Sequence, residues 1–234
     1  MILAAGSGTR LRPVTTAIHK CMVAIQGKPI IQHTVERLRQ AGISRVIINV
    51  CHLRDQIIDF LGDGRKWGIH IEYSIEREPL GTAGGVRKAS WFFRGRPFVI
   101  WYGDNLSDCR LDNMWESHRQ KLSLLTVALY HRSNVSNSGV AVIDDDGRIA
   151  RFVEKPSEGE VESHWVNAGI YLAEPEILSV LESGSAFDFG RDFFPSLLAS
   201  GQTIYGYKMT AGENLTWIDT PEDYAAAVQE VHQL

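Results

Sequence analysis

The chain has 234 residues, with 24 Lys and Arg against 28 Asp and Glu, a net charge of −4. Mild acidity without Lys/Arg blocks argues against non-specific nucleic-acid binding, and no apolar run approaches the roughly 18 residues that span a bilayer. The N-terminus lacks the basic, apolar and small-residue segments of a signal peptide. A cytoplasmic protein without membrane attachment is therefore expected. Cys21, Cys51 and Cys109 form no CxxC pair, so reduced thiols are the simplest reading, and the eight histidines show no HExxH spacing.

In chain order, residues 1–5 (MILAA) read as a short buried strand, broken by Gly6-Ser7-Gly8-Thr9. Val23 to Ile25 is a second strand, closed by a turn at Gly27-Lys28. Pro29 suits the first position of a helix whose apolar face is Ile30, Ile31, Thr34, Val35 and Leu38, stopped by Gly42. A β-branched strand (45–50), a helix (53–61), a strand (69–74), a helix entered through a Gly-rich turn (81–93) and an apolar strand (98–102) follow. Alternating strands and helices imply βαβ units and a mainly parallel sheet. Ligands in such folds sit beyond the carboxyl ends of the strands, which makes Gly6 to Arg12 and Gly103 to Asn105 candidate site loops.

The second half carries strands at 124–130, 139–143, 149–153 and 166–172. Asp144-Asp145-Asp146-Gly147 reads as a hairpin turn rather than a metal loop. Helices at 175–182 and 192–199, a strand near 203–208 and a last helix from Pro221 complete the pattern. No linker or repeat divides the chain, so one domain with an inserted β-rich lobe is expected.

Residues 6–13 (GSGTRLRP) fit neither GxGxxG nor GxxxxGK[ST]. Two glycines after a buried strand still allow backbone N–H groups to approach phosphate oxygens, with Arg10, Arg12 and Lys20 as nearby cations. A tight turn with surface basic residues is the alternative.

Residues 3–13 with Lys20 resemble the signature of the sugar-1-phosphate nucleotidyltransferases. Segments EPLGTAGG (78–85), GDN (103–105), FVEKP (152–156), NAGIY (167–171) and WIDTPED (217–223) follow in the family's order and cover nearly the whole chain. The resemblance implies a Rossmann-like three-layer α/β fold with a β-rich sugar-binding lobe. Its parts would be about 1–130 for the nucleotide, about 131–220 for the sugar phosphate, and a C-terminal helix at 221–234. It implies coupling of a nucleoside triphosphate to a sugar 1-phosphate with release of pyrophosphate.

By that resemblance Ala4, Ala5, Gly6, Ser7, Gly8, Thr9, Arg10, Glu76, Pro79, Gly81, Thr82 and Gly103 hold the nucleotide. Arg10, Lys20 and Asp104 are catalytic, Asp104 and Asp219 bind Mg²⁺, and Gly139, Glu154, Lys155 and Asn167 hold the sugar phosphate. Taken singly, Asp104 is equally suited to a strand-end turn, Asp219 to a helix start, and Glu154-Lys155 to a solvated pair. Glu76 stands where uracil- and thymine-using relatives often have an amide. A carboxylate only accepts, which suits the adjacent N–H donors of guanine and points to GTP, unless Glu76 faces solvent. Segment 187–195 and EPLGTAGG also resemble mannose-1-phosphate guanylyltransferases, features that heptose-1-phosphate guanylyltransferases share.

Departures from the family pattern are His19-Lys20-Cys21 for Pro-Lys-Pro, expected to loosen the loop that presents Lys20, and a Met1 that stands almost on the first strand, where relatives usually have one to three more residues, which leaves open a short strand or a late start. Without β-helix repeats, no second acyltransferase activity is expected. UTP, dTTP or CTP as donor, a non-catalytic nucleotide-sugar-binding module, and transfer to a non-sugar phosphate such as phosphocholine stay open. So does homo-oligomerisation, for which Tyr224, Val228 and Val231 suit an interface as well as a core.

Overall fold

The computed structural model describes residues 1–181 and 186–230. In chain order its elements are β1 (Ile2–Ala4), β2 (Ala24–Ile25), β3 (Lys28–Pro29), α1 (Ile30–Gln40), β4 (Arg45–Val50), α2 (Arg54–Leu61), β5 (His70–Ile75), α3 (Gly81–Lys88) and α4 (Ser90–Phe93). Then come β6 (Phe98–Tyr102), β7 (Asn105–Ser107), α5 (Leu111–Gln120), β8 (Leu125–His131), β9 (Gly139–Ile143), β10 (Ile149–Glu154), β11 (Trp165–Ala173) and α6 (Ile177–Val180). The last are α7 (Phe194–Ala199), β12 (Tyr205–Lys208), β13 (Leu215–Trp217) and α8 (Pro221–Glu230). The chain forms two compact units. The first holds Met1–Pro79, Trp101–Asp108 and Asn214–Leu234, and the second Leu80–Ile100 and Cys109–Glu213.

In the first unit β1 runs parallel to β4 and to the end of β6, pairing Ile2 with Ile48 and Trp101 and Leu3 with Asn49 and Tyr102. β5 lies parallel on the other side of β4. Strands of a parallel sheet are covered on both faces, and the sequence answers with nearly unbroken apolar runs. Ile2, Ile47, Ile48 and Val50 are fully buried. The expected helical face of α1 (Ile30, Ile31, Thr34, Val35, Leu38) is buried as a set, at roughly 1.5–3 kcal/mol for each large aliphatic side chain. Pro29 is the N-cap rather than the first helical residue, and Gly42 ends the helix at φ +81°.

Because β1 and β6 are parallel, the loops after Ala4 and Tyr102 leave from the same end of the sheet. β7 then pairs with β13, Asn105 opposite Trp217, which carries the chain to Asp219. α8 begins at Pro221, and a reciprocal capping box starts it. Asp223 N–H donates to Thr220 Oγ1 (3.1 Å), and Thr220 N–H donates to Asp223 Oδ2 (2.9 Å). Ala227 and Tyr224 pack with Leu11, Val23, Ile25, Ile30 and Ile218. Tyr224 thus serves the core, Val228 is exposed, and Val231 lies outside the described residues.

The second unit is built on β11, antiparallel to β8 and β9, with β10 antiparallel to β9 and β12 parallel to β8. The Asp-Gly hairpin forms between β9 and β10. Gly147 (φ +81°) donates its N–H to the Asp144 carbonyl.

Several elements differ from the sequence expectation. The helix expected over 81–93 breaks at Ala89 into α3 and α4. α5 was unanticipated because only Leu111, Met114 and His118 of its residues are buried. The helix expected at 175–182 is the single turn α6, and its residue Glu182 lies outside the described residues. The helix at 192–199 starts at Phe194, after a wide helical turn over Phe189–Phe193. Among the described residues no helix is long and apolar enough to cross a membrane.

At the start of α3 the Phe187 carbonyl accepts the N–H groups of Ala83 (2.9 Å) and Gly84 (3.1 Å), while Phe187 N–H donates to the Leu80 carbonyl. Gly81 has φ +75°, and a Cβ there would meet Phe187 backbone atoms at 2.5–2.8 Å. Gly81→Ala should therefore cost about 2 kcal/mol or more of unfolding free energy. The check is the urea midpoint, and a wild-type value would contradict this packing.

Candidate active site

The loop after β1 is built by what it omits. Gly6 has no atom within 4 Å of a would-be Cβ, and Gly8 adopts the left-handed conformation (φ +60°) that glycine tolerates best. A Cβ at Gly8 would lie 3.0 Å from Lys20 Cβ, so the glycine also lets the lysine stem pass. Leu11, fully buried, anchors the following turn, and the Gly8 carbonyl accepts Thr15 Oγ1–H (2.6 Å) and Leu11 N–H (3.1 Å). The N–H groups of Gly6, Ser7 and Gly8 donate to no acceptor among the described residues. Such a run of free amides suits an anion.

The start of the loop is held by a buried amide. Asn49, on β4, accepts Ala4 N–H through Oδ1 (2.9 Å) and donates through Nδ2 to Glu76 Oε1 (2.8 Å). Glu76 is 2% exposed, so it does not face solvent. Pro79 follows it in the same unit, where it is exposed, and Gly103 stacks its backbone on β1. A Cβ at Gly103 would meet Ile2 Cγ2 at 2.8 Å.

Lys20 lies on a turn capped by its neighbour. His19 Nδ1 accepts Cys21 N–H (3.1 Å), and His19 N–H donates to Gln56 Oε1 (2.8 Å), whose Nε2 donates to the Ala17 carbonyl. A proline at 19 could make neither the cap nor the main-chain bond. His19-Lys20-Cys21 therefore secures the turn, against the sequence expectation of a looser one. An Nδ1 that accepts leaves the proton on Nε2. Burial pushes the His19 pKa down to about 4, against smaller opposing effects from the Ala4 carbonyl and Asp104. Burial, chiefly, pushes the pKa of the neighbouring Cys21 thiol up.

The Lys20 ammonium donates to Asp104 Oδ2 at 2.6 Å and to Asp219 Oδ1 at 2.5 Å, reaching 84 and 199 residues along the chain. Arg10 Nη2 lies 3.2 Å from the same Asp219 oxygen. Two carboxylates thus share two cations. Burial works against the Lys20 charge, but Asp104 and then Asp219 outweigh it and hold its pKa above the ordinary value. For Asp104, burial likewise favours the neutral acid, and Lys20 outweighs it, keeping the carboxyl below the usual range. Asp219 is fixed from behind, because Asp223 Oδ2 accepts its N–H (3.1 Å) as part of the α8 capping box. These groups line a cavity of about 250 Å³ with Leu3, Ala4, Gly6, Gly8, Thr9, Arg10, His19, Lys20, Cys21, Asp104 and Asp219. The two carboxylates already converge on one cation, which is the donor set Mg²⁺ takes when phosphate oxygens and water complete its shell.

Ala5, half-buried, follows β1 in the first unit, and Gly81, Thr82, Gly139, Glu154, Lys155 and Asn167 lie in the second. Gly81 and Thr82 begin α3. Thr82 Oγ1 donates to Asp188 Oδ1 (3.0 Å) and accepts Phe189 N–H (2.9 Å), so its hydroxyl is occupied both ways within that unit. Gly139 and Glu154 are register partners on β9 and β10. Lys155 is exposed and held left-handed (φ +51°), its N–H on the Ser138 carbonyl. Asn167 Oδ1 accepts Gly169 N–H and its Nδ2 donates to Tyr171 Oη, bracing an irregularity in β11. The supporting roles of Asn49 on the Ala4 N–H, of His19 as a cap and of Asp223 on the Asp219 N–H are not part of the sequence expectation. The signals were present: a lone amide in an apolar strand, and a T-x-x-D box beside Asp219.

The family profile described as nucleotidyl transferase matches residues 1–233. A UTP–glucose-1-phosphate uridylyltransferase of Synechocystis is 38% identical, over 99% of this chain and 62% of its own length. A mannose-1-phosphate guanylyltransferase of Mycobacterium tuberculosis is 32% identical, over 96% of this chain and 62% of its own. The chain thus spans about three fifths of these curated relatives. HddC from Yersinia pseudotuberculosis, solved with GMP-PN, superposes with a TM-score of 0.81 at 28% identity, covering 98% of this chain and 97% of that one.

A neutral buried His19 titrates with a definite sign. The unfolded chain binds its proton below pH 6.5 and the folded chain only near 4, so stability is lost as pH falls through that window. Between pH 7.5 and 5 the loss should be about 2 kcal/mol for this residue. Urea unfolding of His19→Asn should lack that increment, and an unchanged pH slope would refute the assignment.

Proposed function

Since the chain belongs to the nucleotidyl transferase family, we propose that it couples a nucleoside triphosphate to a sugar 1-phosphate, giving a nucleotide sugar and pyrophosphate. One observation carries this reading: the Lys20 ammonium bonded to both Asp104 and Asp219 in the cavity beneath the glycine loop. In the reaction a sugar-phosphate oxygen attacks the α-phosphorus, and the bond from that phosphorus to the bridging oxygen of pyrophosphate breaks. Both reactants are anions, so the protein's task is to neutralise charge and align the groups.

The free N–H groups of Gly6 to Gly8 and the exposed Arg10 guanidinium hold the triphosphate. Arg10 balances the charge gathering on the departing pyrophosphate, and Lys20 balances charge at the reacting phosphates. Asp104 and Asp219 would hold Mg²⁺, which when bound would supply polarisation of phosphoryl oxygens. On the sugar side Lys155 pairs with the phosphate, and Glu154 accepts from sugar hydroxyls. No protein nucleophile is needed, in keeping with the protonated, buried Cys21 thiol.

For the base we propose guanine, with mannose or heptose 1-phosphate as the acceptor. Support comes from the acceptor-only carboxylate of Glu76 and from the guanylyltransferase relative. Uracil is the second reading, favoured by the uridylyltransferase relative and by the Asn49 amide already on Glu76 Oε1.

A pyrophosphate-release screen of four triphosphates against a panel of sugar 1-phosphates tests both levels. Divalent-cation-dependent turnover is expected, with GTP favoured 10- to 100-fold at low substrate, an order set by one pair of hydrogen bonds. UTP matching GTP would reject guanine while leaving the reaction class intact. Lys20→Ala and Asp104→Ala should each lose about 10²- to 10³-fold in rate with the far-UV spectrum unchanged. A fully active Asp104→Ala enzyme would reject the site.

A further inference from the structure

On β10 the side chains of Phe152 and Glu154, two residues apart, share one face of the strand. That face meets two glycines distant in sequence. A Cβ at Gly139, the register partner of Glu154 on β9, would lie 2.6 Å from Glu154 Oε2 and 2.6 Å from the Phe152 ring. A Cβ at Gly190, on the Phe189–Phe193 turn, would overlap Glu154 Oε2 outright and touch the Phe152 ring at 3.3 Å. The same carboxylate oxygen thus lies against two missing side chains.

Gly190 does not have the left-handed backbone that would explain a glycine on conformational grounds. Its neighbours Phe189, Phe193 and Phe194 are buried in an aromatic cluster with Tyr171, and Phe194 meets the Phe152 ring edge-on at 4.8 Å. The turn is further pinned by Thr82 to Asp188 and Phe189, and by Asp192 Oδ2 to Asp188 N–H. Backbone held on so many sides cannot retreat from an added methyl group. The far end of a glutamate can. The two glycines are not equivalent in this respect: at Gly139 an added Cβ strikes the packed Phe152 ring at 2.6 Å, whereas at Gly190 the ring need give by only a few tenths of an ångström and the carboxylate makes the main movement.

We propose that Gly190 is a positioning residue of the sugar-phosphate half-site, which acts by letting the Glu154 carboxylate lie along its Cα and so setting where sugar hydroxyls are accepted. The inference rests on the proposed function. Its ligand class is the polyhydroxylated ring of the sugar 1-phosphate, and the triphosphate is indifferent to it.

The test is a double-mutant cycle of Gly190→Ala and Glu154→Ala, read as KM for the sugar 1-phosphate and, separately, for the triphosphate. Gly190→Ala should raise the first at least tenfold and leave the second within twofold. In the Glu154→Ala background the same alanine should change neither, because no carboxylate is left to displace. An unchanged sugar KM in Gly190→Ala, or an equal rise in both backgrounds, would overturn the proposal. If Gly190→Ala folds poorly, Glu154→Ala should restore its Tm, and failure to restore it would also overturn the proposal. Absence of turnover in the unaltered protein would instead sink the proposed reaction, a result distinct from any of these.

Discussion

A single ammonium group shared by two carboxylates organises the first unit. Lys20, Asp104 and Asp219 come from three separate stretches of chain, and each is brought to the meeting point by a different local device. Lys20 comes from a turn capped by His19, Asp104 from the end of a strand parallel to β1, and Asp219 from a capping box that holds its backbone N–H. Buried charges persist only when paired, so the cluster needs all three devices at once. The result is a patch with two negative and two positive side chains, counting Arg10, beside unpaired backbone amides. In the proposed reaction such a patch would receive an anion that arrives with its own cation.

The supports behind this cluster are polar and buried, which is costly unless every group is satisfied. Asn49 meets that condition by joining the end of β1 to Glu76. It ties the position of the glycine loop to β4 and to the residue just after β5. A substitution at Asn49 would thus reach the glycine loop through the Ala4 N–H.

Much of this was legible in the sequence, for physical reasons. Parallel strands buried on both faces leave apolar runs, so residues 45–50 and 98–102 are placed without error. The α1 face shows the helical spacing that burial demands. The motifs that carry Lys20, Asp104 and Asp219 mark the meeting residues, although no periodicity says that the three converge. That depends on strand order, which single-chain patterns do not encode. α5 escaped because three buried residues in ten make a thin stripe, and the helix over 81–93 was overextended because its break at Ala89 is tertiary. The expectation of a loosened Lys20 loop failed since a histidine imidazole can cap a turn through Nδ1, a role proline cannot fill. Thr82 and Asn167, expected at the ligands, also have protein partners: Thr82 Oγ1 bonds Asp188 and the Phe189 N–H, and Asn167 bonds the Gly169 N–H and the Tyr171 hydroxyl. Hydrogen-bonding residues look alike in sequence whether their partner is a substrate or a neighbouring N–H.

The most direct measurement is anomalous diffraction from crystals grown with Mn²⁺ and a non-hydrolysable triphosphate. A peak is expected at bonding distance from carboxylate oxygens of both Asp104 and Asp219, with the phosphates on the Gly6–Gly8 amides. A triphosphate bound elsewhere, or a cation that leaves the clasp between Lys20 and these two aspartates intact, would contradict it.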